Sequence, residues 1–152
     1  MKQKVSDFIA DYIAGWGIRD VFTVTGGGAM HMNDSFGHHA ALHCTYQHHE
    51  QACAMAAEAY ARVDNHMAAV CVTTGPGATN AITGVLGGWM DSIPMVIFSG
   101  QARYATTVPA SGLPLRSMGV QECSIVPVVA SLTKYAVMVI RPEEIRYHLE
   151  KA

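Results

Sequence analysis

Tyr46-Gln47-His48-His49-Glu50-Gln51-Ala52 joins a β-like run, residues 42–47, to an alanine-rich helix that opens at Glu50. A junction of this kind sets a carboxylate at the mouth of a parallel sheet, where open α/β sheets place their ligands. The same alternation continues on both sides. Val5, Phe8, Ile9, Tyr12, Ile13 and Trp16 recur at helical spacing, with Gly17 as the stop. Residues 20–25 read as a buried strand ended by Gly26-Gly27-Gly28, and residues 29–37 suit a short helix. The helix from Glu50 carries Ala52, Met55, Ala56, Ala59 and Val63 as its small, apolar face.

Residues 67–73 read as a third strand. After Gly75-Pro76-Gly77-Ala78, Thr79 is the expected cap of a helix with Ile82, Val85, Leu86 and Trp89 on one face. Asp91-Ser92-Ile93-Pro94 breaks that helix before a fourth strand at 95–99. The polar stretch 101–120 exceeds an ordinary connection and suits a functional or partner-facing loop. A helix at 124–131, a last strand at 134–139 and a closing helix with Pro142 at its first position complete the chain. The expected class is α/β: a doubly wound parallel sheet with helices on both faces, three layers (αβα), in one domain spanning 1–152.

Half of the 152 residues are apolar and 14% are charged, enough for a substantial core under a thinly charged surface. Such a surface suits coverage by a partner. The net charge is −2, and Lys4, Arg19, Arg62, Arg103 and Arg116 are scattered, so no basic patch points to nucleic acid. Cys44, Cys53, Cys71 and Cys123 form no CxxC pair and suit reduced thiols. The first residues lack the apolar stretch of a signal peptide, and no run approaches the roughly 20 residues of a membrane helix. A soluble, cytoplasmic protein is the expectation.

The residues fit for chemistry lie at the strand-to-helix turns. Gly26-Gly27-Gly28 lets a ligand approach the backbone, or is a plain turn. It is not a dinucleotide fingerprint, because His31 stands where G-x-G-x-x-G needs its third glycine. Glu50 is either a first-turn acid favoured by the helix dipole or a functional carboxylate, with Ala52, Cys53 and Met55 as apolar surroundings. Gly75-Pro76-Gly77 is a fixed loop against which a flat ring can lie, or a generic turn. His31, His38, His39, His43, His48 and His49 crowd into a short stretch, but no Cys or carboxylate joins them at a recognised metal spacing. Solvated or locally bonded histidines are expected, with His49 set apart by its place before Glu50.

Taken together and in order, these segments resemble the N-terminal, pyrimidine-binding domain of the acetolactate synthase-like family of thiamine diphosphate-dependent enzymes. The matching segments are Gly26-Gly27, His49-Glu50-Gln51, Ala56-Ala57, Tyr60-Ala61-Arg62, Gly75-Pro76-Gly77-Ala78-Thr79-Asn80, Met90-Asp91-Ser92-Ile93-Pro94, Gly100-Gln101 and Gln121-Glu122. The resemblance implies the thiamine diphosphate-binding fold and an enzyme, transferase or lyase, that decarboxylates a 2-oxo acid such as pyruvate and joins the fragment to a second carbonyl compound. It implies that Glu50 activates the cofactor aminopyrimidine through a hydrogen bond at N1′. Gly26 and Gly27 match the loop near the reacting centre, Pro76 and Asn80 the loop beside the pyrimidine, and Gln121 a glutamine lining the site from the neighbouring subunit's side.

In the family, Mg²⁺ holds the diphosphate through a Gly-Asp-Gly…Asn motif in a separate domain. That motif does not occur here, so no metal ligand is assigned to these residues. A flavin is not legible in them either. The implied partners are a diphosphate-binding domain of the same or another chain and further copies, as a homodimer or homotetramer, with neither nucleic acid nor membrane. Three positions depart from the pattern: Thr25 replaces Pro, Val120 replaces Phe and Ser124 replaces Asp. A smaller Val120 admits an acceptor other than that of acetolactate synthesis. Two other readings stay open: a small subunit that completes its site with a second chain, and a non-catalytic nucleotide-binding module.

Overall fold

The computed structural model describes residues 2–152. Four parallel strands form one sheet in the order β2-β1-β3-β4: β1 is Asp20–Thr23, β2 His43–Tyr46, β3 Ala68–Val72 and β4 Met95–Ser99. The ladder registers Val21 with Cys44 and Ala69, and Val70 with Ile97. α1 (Val5–Gly15), α2 (Met30–His38) and α7 (Ile145–Lys151) cover one face, while α3 (Glu50–Asp64) and α4 (Pro76–Met90) cover the other. α5 (Val108–Ser111) and α6 (Ile125–Val129) are short helices between β4 and α7.

β3 explains the layering. Its residues are all buried, as a strand covered on both faces must be. Ala69 and Cys71 point into the cluster of Ile9, Ile13, Val21, Phe36 and Leu149. Ala68, Val70 and Val72 point into the cluster of Cys53, Ala54, Ala57, Ala78, Ala81 and Val85. The alternation of side chains along a strand thus feeds two cores from one segment. The three-layer α/β architecture is the one expected from the sequence.

Four local expectations are corrected. Residues 134–139 form no strand and pair with none of the four. Tyr135 docks instead on α7, its hydroxyl 2.6 Å from His148 Nδ1. A pleated pattern without a partner ladder is not a strand.

The helix after β3 starts at Pro76, with Gly75 in the cap position, not at a Thr79 cap. Pro76 lacks only a donor that the first turn would leave unpaired anyway, so the helix begins four residues earlier. Thr79 lies inside it, and its Oγ1 donates to the Pro76 carbonyl.

The buried faces of α3 and α4 are also rotated from the expected ones. α3 buries Cys53, Ala54, Ala57 and Ala61, leaving Ala52, Met55, Ala59 and Val63 exposed. α4 buries Gly77, Ala78, Ala81, Gly84, Val85 and Gly88, leaving Leu86 and Trp89 largely exposed. Close backbone approach decides this. A Cβ at Gly84 would lie 2.5 Å from Ala54 Cβ and 2.8 Å from the Met55 nitrogen. Two helices that touch this closely must present their smallest residues to each other, so the larger apolar side chains are turned outward. Arg62 closes the far end of the seam, reaching Glu58 on α3 and Asp91 after α4.

Finally, the long connection after β4 is not structureless. It holds a 3₁₀ turn at Tyr104–Thr106 and α5.

Candidate functional site

The loops that leave β1, β2 and β3 converge at the carboxyl end of the sheet. The sequence-derived residues fall on them as follows. Gly26 precedes a 3₁₀ turn at Gly27–Ala29 that runs into α2. Glu50 is the first residue of α3, and His49 caps that helix: its Nδ1 accepts the Gln51 N–H at 3.1 Å. The capping bond fixes where the helix begins and hence where Glu50 stands. Glu50 Oε2 accepts from Asn80 Nδ2 at 3.0 Å, which ties α3 to α4. The other oxygen, Oε1, faces Gly77, where an added Cβ would come within 3.4 Å of it.

Beneath Glu50 lies Cys53, fully buried. Burial first, and the charge of Glu50 second, push its thiol up to about 11. It is therefore a neutral wall. Ala52 and Met55, expected to shield Glu50 as well, are exposed.

The three glycines of the first loop do different jobs. A Cβ at Gly26 would collide with the Thr73 side chain, and one at Gly28 with Thr74 Oγ1. A Cβ at Gly27 meets nothing within 4 Å. So Gly26 and Gly28 are glycine because Thr73 and Thr74 press on them from inside, and only Gly27 borders open space. Thr74 is buried, and its Oγ1 has no hydrogen-bond partner among the described residues.

Gly75 has φ +59° and lies against the Gln121 carbonyl, so both its backbone angle and its surroundings require glycine. Gln121 itself has φ +57° and an exposed side chain. Its neighbour Glu122 holds it there. The Glu122 carboxylate accepts the N–H groups of Val108 at 2.7 Å, Met118 at 2.8 Å and Gly119 at 3.2 Å. These donors, Val108 first, keep its carboxyl below the usual carboxylate range.

The sequence therefore locates Glu50, Gly26, Gly27, Pro76, Asn80 and Gln121 on one mouth, but it does not reveal the supports: Thr73, Thr74 and Glu122. The Thr73-Thr74 pair before Gly75-Pro76-Gly77 was the available signal, since β-branched residues at a strand end need small neighbours.

Most of the clustered histidines are locally bonded. His38, His39, His43 and His66 each sit within 3.3 Å of an aspartate oxygen. Among the described residues no three His, Cys, Asp or Glu side chains are grouped to hold a metal ion. All four cysteines are free, Cys53 and Cys71 buried and Cys44 and Cys123 partly so. Two surface cavities of about 300 and 290 Å³ lie away from the mouth. One is between α1 and α2 beside Lys4 and His39, the other beside Trp16 and Tyr60.

Residues 3–127 match the family described as thiamine pyrophosphate enzyme, N-terminal TPP binding domain. The chain belongs to this family. Relatives carry the same label of activity. The acetolactate synthase large subunit of Buchnera aphidicola subsp. Schizaphis graminum is 37% identical over 90% of this chain and 22% of its own length. The isozyme 3 large subunit of Escherichia coli (strain K12) is 35% identical over the same shares, 90% and 22%. Acetolactate synthase 2, chloroplastic, of Zea mays is 32% identical over 99% of this chain and 22% of its own length. The chain thus spans about a fifth of the length of these relatives.

As a domain of the thiamine pyrophosphate-binding kind, the mouth has an observable fit to the pyrimidine half of the cofactor. One Glu50 oxygen is engaged by Asn80, while the other lies beside Gly77. That is an oriented carboxylate acceptor at the mouth of the sheet.

Proposed function

We propose that the chain is the pyrimidine-binding domain of a thiamine diphosphate-dependent 2-oxo acid decarboxylase or carboligase resembling acetolactate synthase. The observation that carries this reading is the Glu50 carboxylate at the first position of α3, held by Asn80 through one oxygen with the other beside Gly77. Thiamine diphosphate, when bound, supplies the carbanion chemistry that breaks the carboxylate from a 2-oxo acid and forms the new carbon–carbon bond. The residues of this chain bind its ring and govern one proton. Glu50 would share a proton with the pyrimidine N1′, donating to the neutral ring and accepting from the protonated one. Asn80 fixes the carboxylate rotamer, His49 fixes the start of the helix, and neutral Cys53 places no competing charge below. Gly27 and Pro76 border the cofactor, and Gln121 reaches the substrate.

Mg²⁺ and the diphosphate belong to a further domain, of this chain's continuation or of a partner. Pyruvate or a similar 2-oxo acid is the donor, in the cytoplasm. The exposed apolar side chains of α3 and α4, among them Val63 at 89% and Met90 at 73% exposure, support pairing of two such domains. No helix among the described residues is long and apolar enough to cross a membrane.

The test is Glu50→Gln in the complete enzyme. It keeps the shape and the Asn80 contact but removes the shared proton. Turnover is expected to fall by about two to four orders of magnitude, the range for a lost acid–base group. Turnover within a few-fold of the parent enzyme removes Glu50 from the mechanism and this reading with it.

A further inference from the structure

Thr73 stands where the loops after β1 and β3 cross. Its Oγ1 accepts the Gly28 N–H at 3.1 Å. Its Cβ and Cγ2 fill the place that a side chain at Gly26 would take. On the other side, Cγ2 would lie 2.7 Å from a Cβ at Gly77, and Gly77 is the residue beside Glu50 Oε1. One half-buried threonine is therefore wedged between the backbone of the glycine loop and the backbone that borders the carboxylate. A close-packed wedge transmits position because its neighbours have no slack to take up.

We propose that Thr73 is a positioning residue of the reaction: its hydroxyl grips the Gly28 amide and its methyl braces Gly77, so that it sets the span between the glycine loop and Glu50. The proposal rests on the function inferred above for Glu50. The hydroxyl carries the directional part. Valine has the same shape but no acceptor, and it leaves the Gly28 N–H without its partner. Serine keeps the acceptor and loses only the methyl. The methyl alone cannot hold the loop in register, because a van der Waals contact resists approach and not sliding.

The experiment compares Thr73→Val and Thr73→Ser in the holoenzyme, and measures Gly28 amide exchange in the same proteins without cofactor. In Thr73→Val, Gly28 exchange is expected to rise at least about ten-fold as the loop loses its anchor. The value of kcat is expected to fall about ten- to a hundred-fold, the scale of a misplaced reacting group. KM for the 2-oxo acid is expected to stay within about three-fold, since the binding groups themselves are untouched. Thr73→Ser is expected to restore Gly28 exchange to within about three-fold of the parent, while kcat stays about three- to ten-fold low because the brace on Gly77 is gone. Should valine prevent folding, Thr73→Ala, which cannot clash, takes its place with the same expectations.

Gly28 exchange as fast in Thr73→Ser as in Thr73→Val, or a kcat equal to the parent's in either variant, overturns the proposal. Glu50→Gln run alongside separates the two ideas. Full turnover in that variant sinks the functional reading, while Gly28 exchange in the Thr73 variants still decides whether the hydroxyl anchors the loop.

Discussion

Asn80 Nδ2 and Glu50 Oε2 meet at 3.0 Å across a sequence separation of 30 residues, one on α4 and the other at the start of α3. An exposed carboxylate otherwise samples several rotamers, so this bond selects the one in which Oε1 faces Gly77. Asn80→Ala removes the selection without touching the core. We expect its melting temperature to stay within about 2 °C, as for an exposed substitution. Turnover should fall about ten- to a hundred-fold through misorientation. Unchanged steady-state turnover in Asn80→Ala shows that the bond does not orient Glu50.

The glycine loop yields a contrast between adjacent residues. Gly27 borders open space, whereas a Cβ at Gly28 would collide with the buried Thr74 hydroxyl. Gly27→Ala is therefore expected to change unfolding free energy by less than about 0.5 kcal/mol, and Gly28→Ala to cost about 1–3 kcal/mol by overpacking. Urea denaturation of the two variants decides. Equal stabilities refute the inward packing described for Gly28.

Such contrasts mark what the sequence does and does not disclose. The alternation of strands and helices, and the place of Glu50 at a strand-to-helix junction, were legible because they depend on local periodicity and turn chemistry. The faces of α3 and α4 were not. Spacing alone put Met55 and Val63 inward, but Gly84 against Ala54 sets the rotation, and that contact joins residues far apart in sequence. Residues 134–139 have the composition of a strand, yet a ladder needs a second backbone, which composition does not report. In the site, Glu50 and Asn80 could be named from their motifs. Glu122 stood in the matching Gln121-Glu122 segment, but its role, like that of Thr73, was not legible because their partners are backbone amides far away in sequence.

Glu122 makes the loop that carries Gln121 sensitive to acid. Its carboxyl lies below the ordinary value of 4.5 because the amides of Val108, Met118 and Gly119 bond to the ionised form. A folded-state pKa below the unfolded one stabilises at pH above 4.5, and that contribution is lost as pH falls through the lower folded value. The Val108 amide proton shift should therefore titrate with a midpoint below 4.5, and Glu122→Gln should abolish that step. A midpoint at or above the ordinary value contradicts the three-amide anchor.

The outward side chains of α3 and α4 bear on association. Val63, Trp89 and Met90 are 89%, 44% and 73% exposed. Self-complementary patches of this kind close most often as two-fold pairs. Light scattering at micromolar concentration should give at least a dimer, and Trp89→Asp with Met90→Glu should shift it toward monomer. A monomeric mass for the unsubstituted protein leaves these side chains without the proposed role.

The glycine-to-alanine seam between α3 and α4 has a mechanical consequence. With Gly84 against Ala54, no flexible side chain lies between the two backbones at that point to absorb a displacement. Arg62 clamps the opposite end through Glu58 and Asp91. The two helices behave as a single stiff plate, with Glu50 and Asn80 riding on one end of it. Pressure on the outer face therefore tilts the carboxylate and its amide together, and their bond length is the last quantity to change.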